Sequence, residues 1–114
     1  MKKSEGGFVA VFMTAPDAEA AAVIGERAVE EGLAACCNII PAVKSIYMWK
    51  GRLCKEEEAL VVFKTRGDMF GRLKTRLKEL HSYEVPEIIA VDIKDGLKEY
   101  LDWIDENTAI RRAT

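Results

Sequence analysis

The feature that most constrains this chain is a pair of strand-like segments separated by the dipeptide Lys50-Gly51. Residues 37–49 and 52–65 are both rich in β-branched, aromatic and other apolar side chains, although the charged run 55–58 interrupts the second segment. A glycine in a two-residue break between two such segments indicates a β-hairpin. The sequence therefore predicts a long hairpin as the central element of the fold.

The predicted hairpin is longer than a compact domain of this size can cover. Thirteen extended residues span about 43 Å at about 3.3 Å each, whereas a compact chain of 114 residues has a diameter of roughly 35 Å. Pro41 cannot donate a ladder hydrogen bond, so we expect it to divide the first strand and shorten the continuous part. We still expect an overhang whose tip residues Tyr47, Met48 and Trp49 contact another subunit, with the lining of a ligand pocket as the alternative.

Length, charge and cysteine content narrow the class of protein. The 114 residues suit one domain, 1–114, with a flexible N-terminus at 1–7. A net charge of −2 without a basic block argues against a nucleic-acid partner. No apolar run reaches the length of a membrane span, and the N-terminus lacks a signal-peptide pattern. An odd count of three cysteines is consistent with reduced thiols, so we expect a cytoplasmic protein with no membrane partner.

The segments outside the hairpin predict two strands and three helices. Residues 8–13 form a first strand, and the helix after it ends near Glu31 because Gly32 is a good stop. Asp17 is the expected N-cap, with Ala15 as the alternative if Pro16 opens the helix. Gly67-Asp68 is expected to cap a second helix that runs to about Leu80. Residues 88–93 form a last strand, and an apolar stripe over 97–104 predicts a short C-terminal helix.

This order of elements predicts an α+β fold of the ferredoxin-like βαββαβ plan, with a long central hairpin and a C-terminal helix. Two helices cover one face of the four-stranded antiparallel sheet. The other face carries alternate residues of all four strands and is too apolar to face water. We therefore expect an added helix or self-association to cover it, which is a second argument for an oligomer.

Seven segments of the chain stand in register with one known family. They are Thr14-Ala15-Pro16-Asp17, Leu33-Ala34-Ala35-Cys36, Asn38-Ile39-Ile40-Pro41, Ser45-Ile46-Tyr47, Trp49-Lys50-Gly51, Lys64-Thr65-Arg66 and His81-Ser82-Tyr83-Glu84-Val85-Pro86-Glu87-Ile88. Together they resemble the divalent-cation tolerance family CutA, over roughly residues 9–104. The resemblance implies a ferredoxin-like fold, a tight homotrimer held by the long hairpins, and kinship in shape with the PII signalling proteins. It also implies a role in tolerance of divalent metals, copper above all, with no well-defined biochemical activity.

The resemblance also implies a metal site that this sequence matches only in part. The copper ligands proposed for the family are a Cys before the Thr-Ala-Pro segment and two His before the Tyr-x-x-Pro-Glu segment. Met13 stands at the first position and Leu80-His81 at the other two, so His81 and Met13 are the candidate ligands. A thioether suits Cu(I). We expect no required cofactor, and copper or another divalent metal bound weakly.

Other candidate sites have simpler structural alternatives. His81 could instead favour the dipole at a helix C-terminus. Cys36, Cys37 and Cys54 could form a soft metal site, but neighbouring strand residues point to opposite faces, so buried packing is the alternative.

A polar cleft is a further candidate site. Lys64, Arg66, Tyr83, Glu84 and Glu87 could form such a cleft around an anionic ligand, or could be solvated loop charges. The run 55–58 is expected to be exposed, with a bulge in the second hairpin strand.

No catalytic constellation is present in the sequence. A single histidine cannot support a Ser-His-Asp arrangement, and no glycine-rich phosphate loop appears. We therefore predict a non-enzymatic protein, and the family resemblance implies that it acts in divalent-metal tolerance. A PII-like small-molecule sensor that signals through partner proteins is the alternative, and an enzyme with Glu84 or Glu87 as a base is a weaker one.

Overall fold

A computed structural model describes residues 7–109 of the chain. The flexible N-terminus expected at 1–7 lies, apart from Gly7, outside the described residues. The elements are β1 Phe8–Ala15, α1 Ala18–Glu30, β2 Cys36–Trp49, β3 Arg52–Arg66, a 3₁₀ turn Gly67–Met69, α2 Phe70–Leu80, β4 Ile88–Ile93 and α3 Lys98–Glu106. The strands form one four-stranded sheet in the order β2-β3-β1-β4, and all pairs are antiparallel. This topology confirms the predicted α+β, ferredoxin-like fold.

The main core lies between the sheet and helices α1 and α2. Alternate residues of a strand point to the same face of a sheet. In the central strand β1, Val9, Val11 and Met13 therefore point together into the helix-covered core. Leu73 and Leu77 of α2 meet them there, because positions four apart lie on one face of a helix.

Helix α1 begins at the residue that the sequence favoured. Asp17 Oδ1 accepts a hydrogen bond from the Ala20 N–H at 2.8 Å, so Asp17 is the N-cap and the alternative at Ala15 is wrong. Gly25 lies on the buried face of α1, together with Ala21, Ile24 and Ala28. An added Cβ at Gly25 would lie 2.5 Å from Cys37 Sγ, so the glycine allows the helix to pack closely on β2.

Gly32 ends helix α1 in the left-handed region, with φ at +77°. A Cβ added to Gly32 would lie 1.7 Å from the Ala109 carbonyl oxygen. The glycine is therefore needed for its backbone conformation and for the close approach of the chain beyond α3.

The hairpin of β2 and β3 closes through the predicted two-residue turn. Lys50 and Gly51 have φ values of +50° and +78°, the left-handed pair that matches the twist of a hairpin. Pro41 does not divide β2, contrary to our expectation. It lies at a register shift between Ile40 and Val43, which the edge position of β2 tolerates. The bulge thus lies in β2 and not in the acidic run of β3.

The hairpin extends beyond the rest of the sheet, as predicted. β1 stops pairing at the Ala15–Ala59 pair, so residues 43–58, named here the hairpin arm, extend past it. The molecule accordingly measures 50 × 35 × 22 Å along its principal axes. The arm is therefore a two-stranded ribbon with no third strand beside it within residues 7–109.

The second face of the sheet is covered only at one end. Ile104 of α3 packs against Phe8 and Ala35 there. Farther along this face, named here the open face, Ile40, Ile89 and Val91 are exposed, with 46%, 52% and 51% of their surface accessible. The expected added helix therefore covers one end of this face, and cover of the apolar remainder by self-association stays a prediction.

The start of helix α2 differs from the prediction. Asp68 makes no capping hydrogen bond. It lies 3.0 Å from Arg66 Nε and forms an ion pair instead, because a 3₁₀ turn precedes the helix.

No helix within residues 7–109 combines the length and the apolar character needed to cross a membrane.

Candidate functional site

A cavity of about 700 Å³ lies between the hairpin arm and the loop 81–87 that joins α2 to β4. Its walls carry three aromatic and four acidic side chains. The lining residues are Thr14, Ser45, Ile46, Tyr47, Trp49, Cys54, Glu56, Glu58, Tyr83, Glu84, Val85 and Glu87. On β3 the lining residues alternate strictly, as Cys54, Glu56 and Glu58, because one face of the strand turns toward the loop, whereas on β2 Ile46 also lines the cavity between Ser45 and Tyr47. The cavity therefore results directly from the overhang.

The phenols of Tyr83 and Tyr47 donate hydrogen bonds to carboxylates of β3. The Tyr83 hydroxyl donates to Glu58 Oε2 at 2.6 Å. Burial, followed by the bond to Glu58, raises the pKa of Tyr83. The Tyr47 hydroxyl donates to Glu56 Oε1, and chiefly this bond raises the pKa of Tyr47 to about 12. Both phenols are thus neutral donors at neutral pH, and each holds a carboxylate in the cavity wall.

Glu58 is the cavity residue whose exposure the sequence analysis predicted wrongly. We expected the run 55–58 to be exposed, yet Glu58 is buried, with 6% of its surface accessible. Its neighbours Glu56 and Glu57 are exposed. The period-two alternation through Cys54, Glu56 and Glu58 was the available signal, because it places three side chains on one face of the strand.

The mouth of the cavity is bordered by the hairpin turn. Lys50 Nζ lies 4.0 Å from Glu84 Oε1 and 5.5 Å from the centre of the Trp49 ring. From the other side, Lys78 Nζ donates to the Glu84 carbonyl oxygen at 2.8 Å. The arm and the loop are therefore joined across the opening by an ammonium and a carboxylate.

His81 lies at the base of the loop and is buried. Its Nε2 is 2.7 Å from the Thr14 carbonyl oxygen, and its Nδ1 accepts the Tyr83 N–H at 3.0 Å. Since a carbonyl only accepts, these bonds assign the proton to Nε2 of a neutral ring. Met13 is fully buried in the main core. Metal binding by His81 and Met13 stays a prediction, and it would require His81 to give up one of two hydrogen bonds.

The structure does not bring all five predicted cleft residues together within one chain. Tyr83, Glu84 and Glu87 line the cavity. Lys64 instead donates to the Asn38 side-chain oxygen on the open face. Arg66 pairs with Asp68 at 3.0 Å and with Asp105 at 3.7 Å, which ties β3 to α3. The predicted mixed-charge cleft is therefore divided, and the part beside the loop is acidic.

The residues predicted at a subunit contact lie on both faces of the hairpin arm. Tyr47 and Trp49 line the cavity, whereas Met48 points to the opposite side of the ribbon and is exposed. Their contact with another subunit stays a prediction.

The cysteines behave as separate thiols. Cys36 Sγ lies 3.5 Å from the Tyr100 hydroxyl, while Cys37 packs against Gly25 on the opposite face of the sheet. Burial raises the pKa of Cys37 to about 11. Cys54 is a third free thiol, near the hairpin tip. Within residues 7–109 no three His, Cys, Asp or Glu side chains are grouped so that they could hold one metal ion.

Comparison with known proteins identifies the family of this chain. The family described as CutA1 divalent ion tolerance protein matches residues 9–107. The chain belongs to the CutA family. A divalent-cation tolerance protein CutA of Thermus thermophilus is 49% identical over 98 residues, which cover 86% of this chain and 95% of that protein. The CutA of Archaeoglobus fulgidus is 44% identical over 96 residues, or 84% and 93% of the two chains.

Solved CutA structures agree with the fold described above. The divalent cation tolerance protein of Thermus thermophilus superposes with a TM-score of 0.87 at 47% identity, covering 90% of this chain and 99% of that one. The Archaeoglobus fulgidus protein, described as a periplasmic divalent cation tolerance protein, also gives a TM-score of 0.87, at 40% identity, with 90% and 99% of the chains covered. These similarities confirm the family resemblance that the seven segments indicated.

Proposed function

We propose that this chain acts in divalent-metal tolerance as a cytoplasmic, non-enzymatic homotrimer. Membership of a family named for divalent-cation tolerance carries the proposal. No reaction is part of that name, and the cavity holds carboxylates and phenols without a histidine or an activated nucleophile among its lining residues. A scaffold that presents clefts between subunits accounts for these features better than an active site does.

The open face supports self-association, which the proposed trimer requires. Ile89 and Val91 of the edge strand β4 are half-exposed and adjoin the partly buried Phe12 and Val62. An exposed apolar patch of this kind marks an interface in soluble proteins. Sedimentation equilibrium tests the assembly, with an expected mass of about 38 kDa, three times the 12.7 kDa chain.

A matched pair of variants makes the assembly test specific. Val91→Glu places a charge on the open face and should shift the protein toward monomer. Val23→Glu places the same charge on an exposed position of α1 and should leave the mass unchanged. A monomeric wild type at micromolar concentration would contradict the proposed trimer.

Metal binding in this proposal is weak and involves His81. Both nitrogens of His81 are hydrogen-bonded and Met13 is buried in the core, so the two residues do not form a ready-made metal site. Calorimetry with Cu(I), Cu(II) and Zn(II) on wild type and His81→Ala tests the prediction. Identical isotherms for the two folded proteins would remove His81 from the account.

A PII-like small-molecule sensor is the second candidate function, and the cavity favours it. A volume of about 700 Å³ lies within the range of small-molecule sites, about 300–1,000 Å³. A thermal-shift screen with nucleotides, small acids and small amines distinguishes this candidate, because a ligand that binds only the folded state raises the unfolding temperature. No shift at millimolar concentration would contradict a sensor.

A further inference from the structure

The side chains that line the cavity suit one class of ligand. Three aromatic rings and four glutamates contribute to its walls, and no lysine or arginine lines it among the residues that the structure describes. Aromatic faces attract cations through the ring quadrupole, most strongly where water is excluded. The cavity is therefore complementary to a positively charged organic molecule and not to the anion that the sequence suggested.

Glu58 gives the cavity a buried negative charge. With 6% of its surface accessible, its carboxylate accepts the Tyr83 hydroxyl at 2.6 Å and makes no ion pair within residues 7–109. A carboxylate that is buried without a positive partner is costly, and a nearby cation lowers that cost. Glu58 thus supplies an electrostatic reason for the cavity to bind a cation, which exposed surface carboxylates would not.

The chain already places one ammonium at the mouth of the cavity. Lys50 Nζ lies between the Trp49 ring, at 5.5 Å, and the Glu84 carboxylate, at 4.0 Å. These are the two kinds of contact that a ligand ammonium would make farther inside. Lys50 also borders the opening, so it repels and competes with a bound cation.

A metal ion does not fit this cavity as well as an organic cation. Hard divalent cations need several oxygens at about 2.0–2.6 Å, and no group of three metal-ligating side chains is close enough within residues 7–109. Glu56 and Glu58 are each engaged by a phenol, and the aromatic walls offer nothing to a small hydrated ion. A larger cation with an apolar body satisfies both kinds of wall.

We propose that the cavity between the hairpin arm and the loop 81–87 binds a small organic cation of the alkylammonium class. Glu58 and Glu84 provide the negative charge, and Tyr47, Trp49 and Tyr83 provide the aromatic surface. This inference deepens the second candidate function, the small-molecule sensor, by giving its ligand a charge and a chemical class. In the proposed trimer the same cavity borders a neighbouring subunit, so the experiment uses the assembled protein.

Calorimetry with a charged probe and its neutral isostere tests the proposal. Choline and 3,3-dimethylbutan-1-ol have nearly the same shape, but only choline carries a positive charge. At constant ionic strength we expect choline to bind at least tenfold more tightly than the alcohol. Equal binding of the two, or no binding of choline up to about 20 mM, would overturn the proposal.

Three variants locate the site. Glu58→Gln should weaken choline binding at least tenfold, whereas Glu57→Gln, an exposed neighbour on the other face of β3, should leave it unchanged. Lys50→Asn removes the competing ammonium and keeps a residue suited to the left-handed turn, so it should tighten binding at least twofold. An unchanged affinity in both Glu58→Gln and Lys50→Asn would refute the assignment.

A further variant tests the site if Glu58→Gln does not fold. Trp49→Leu alters a half-exposed ring near the arm tip and should also weaken choline binding at least tenfold, and wild-type affinity in this variant would refute the site. The copper calorimetry on His81→Ala is independent of these measurements. Choline binding can therefore fail while the proposed metal-tolerance function stands, and the reverse also holds.

Discussion

His81 joins three parts of the molecule, so we expect its replacement to destabilise the fold whatever its role toward metal. The residue follows α2, contacts the end of β1 through Thr14, and orders the loop through Tyr83. In His81→Ala the hydrogen bonds at 2.7 Å and 3.0 Å are both lost. The contact with the Tyr83 ring, with centroids 4.5 Å apart, is lost as well.

The expected cost of His81→Ala is about 3 kcal/mol. Each hydrogen bond contributes about 1 kcal/mol net, and more where a partner is left buried and unsatisfied. The tilted ring pair with Tyr83 adds about 0.5–1 kcal/mol. The sum is a large fraction of the 5–15 kcal/mol that is typical of a whole domain.

Equilibrium unfolding in urea measures this cost. Wild type, His81→Ala and the neighbouring control Ser82→Ala are compared at one protein concentration, because assembly links stability to concentration. Ser82 is exposed, so its replacement should change the free energy of unfolding by less than about 0.5 kcal/mol. If His81→Ala were as stable as Ser82→Ala, the two hydrogen bonds would not hold the loop as described.

Three further predictions concern other parts of the fold. Gly32→Ala should lower the free energy of unfolding by more than about 2 kcal/mol, through strain at positive φ and a clash with Ala109. Gly71→Ala, which meets open space on α2, should raise it by about 0.5–1 kcal/mol. Urea midpoints that move in the same direction for both variants would contradict this prediction. Arg76 donates two hydrogen bonds of 3.0 Å to Glu31 and lowers its pKa, so Arg76→Gln should lower the free energy of unfolding at neutral pH. A carboxylate whose pKa is lowered by folding stabilises the fold at pH values above its ordinary pKa. The difference in free energy of unfolding between this variant and wild type should therefore vanish as acid protonates Glu31. A difference that stays constant down to about pH 2 would contradict this reasoning. Cys37, with its pKa raised to about 11, should react with iodoacetamide at pH 8 at least tenfold more slowly than Cys36. Peptide mass spectrometry measures the two rates. Equal rates in the native protein would show that Cys37 is not protected.

The sequence was sufficient for features that depend on local chemistry. The Lys50-Gly51 turn, the Asp17 cap and the Gly32 stop each follow from the conformations that one or two residues can adopt. The overhang followed from strand length alone. The order of the elements then left few topologies, and the ferredoxin-like sheet was one of them.

Features that depend on which distant residues meet were not predictable in the same way. Pro41 shifts the register of β2 without dividing the strand, because β2 lies at the sheet edge and can absorb a bulge. Glu58 is buried and accepts a hydrogen bond from Tyr83, which lies 25 residues away in the chain. Arg66 and Lys64 found partners on α3 and β2 and so did not join the loop. Local patterns carry no information about such pairings.

The position of β1 between β3 and β4 has a consequence for synthesis of the chain. The Met13–Ile88 pair joins residues about 75 positions apart, whereas the hairpin closes over two residues, and the entropy of closure rises with the length of the loop. A nascent chain can therefore form the hairpin and its pairing with β1 well before residue 88 leaves the ribosome. Until then β1 is an unpaired edge, so chains truncated ahead of β4 should aggregate through it.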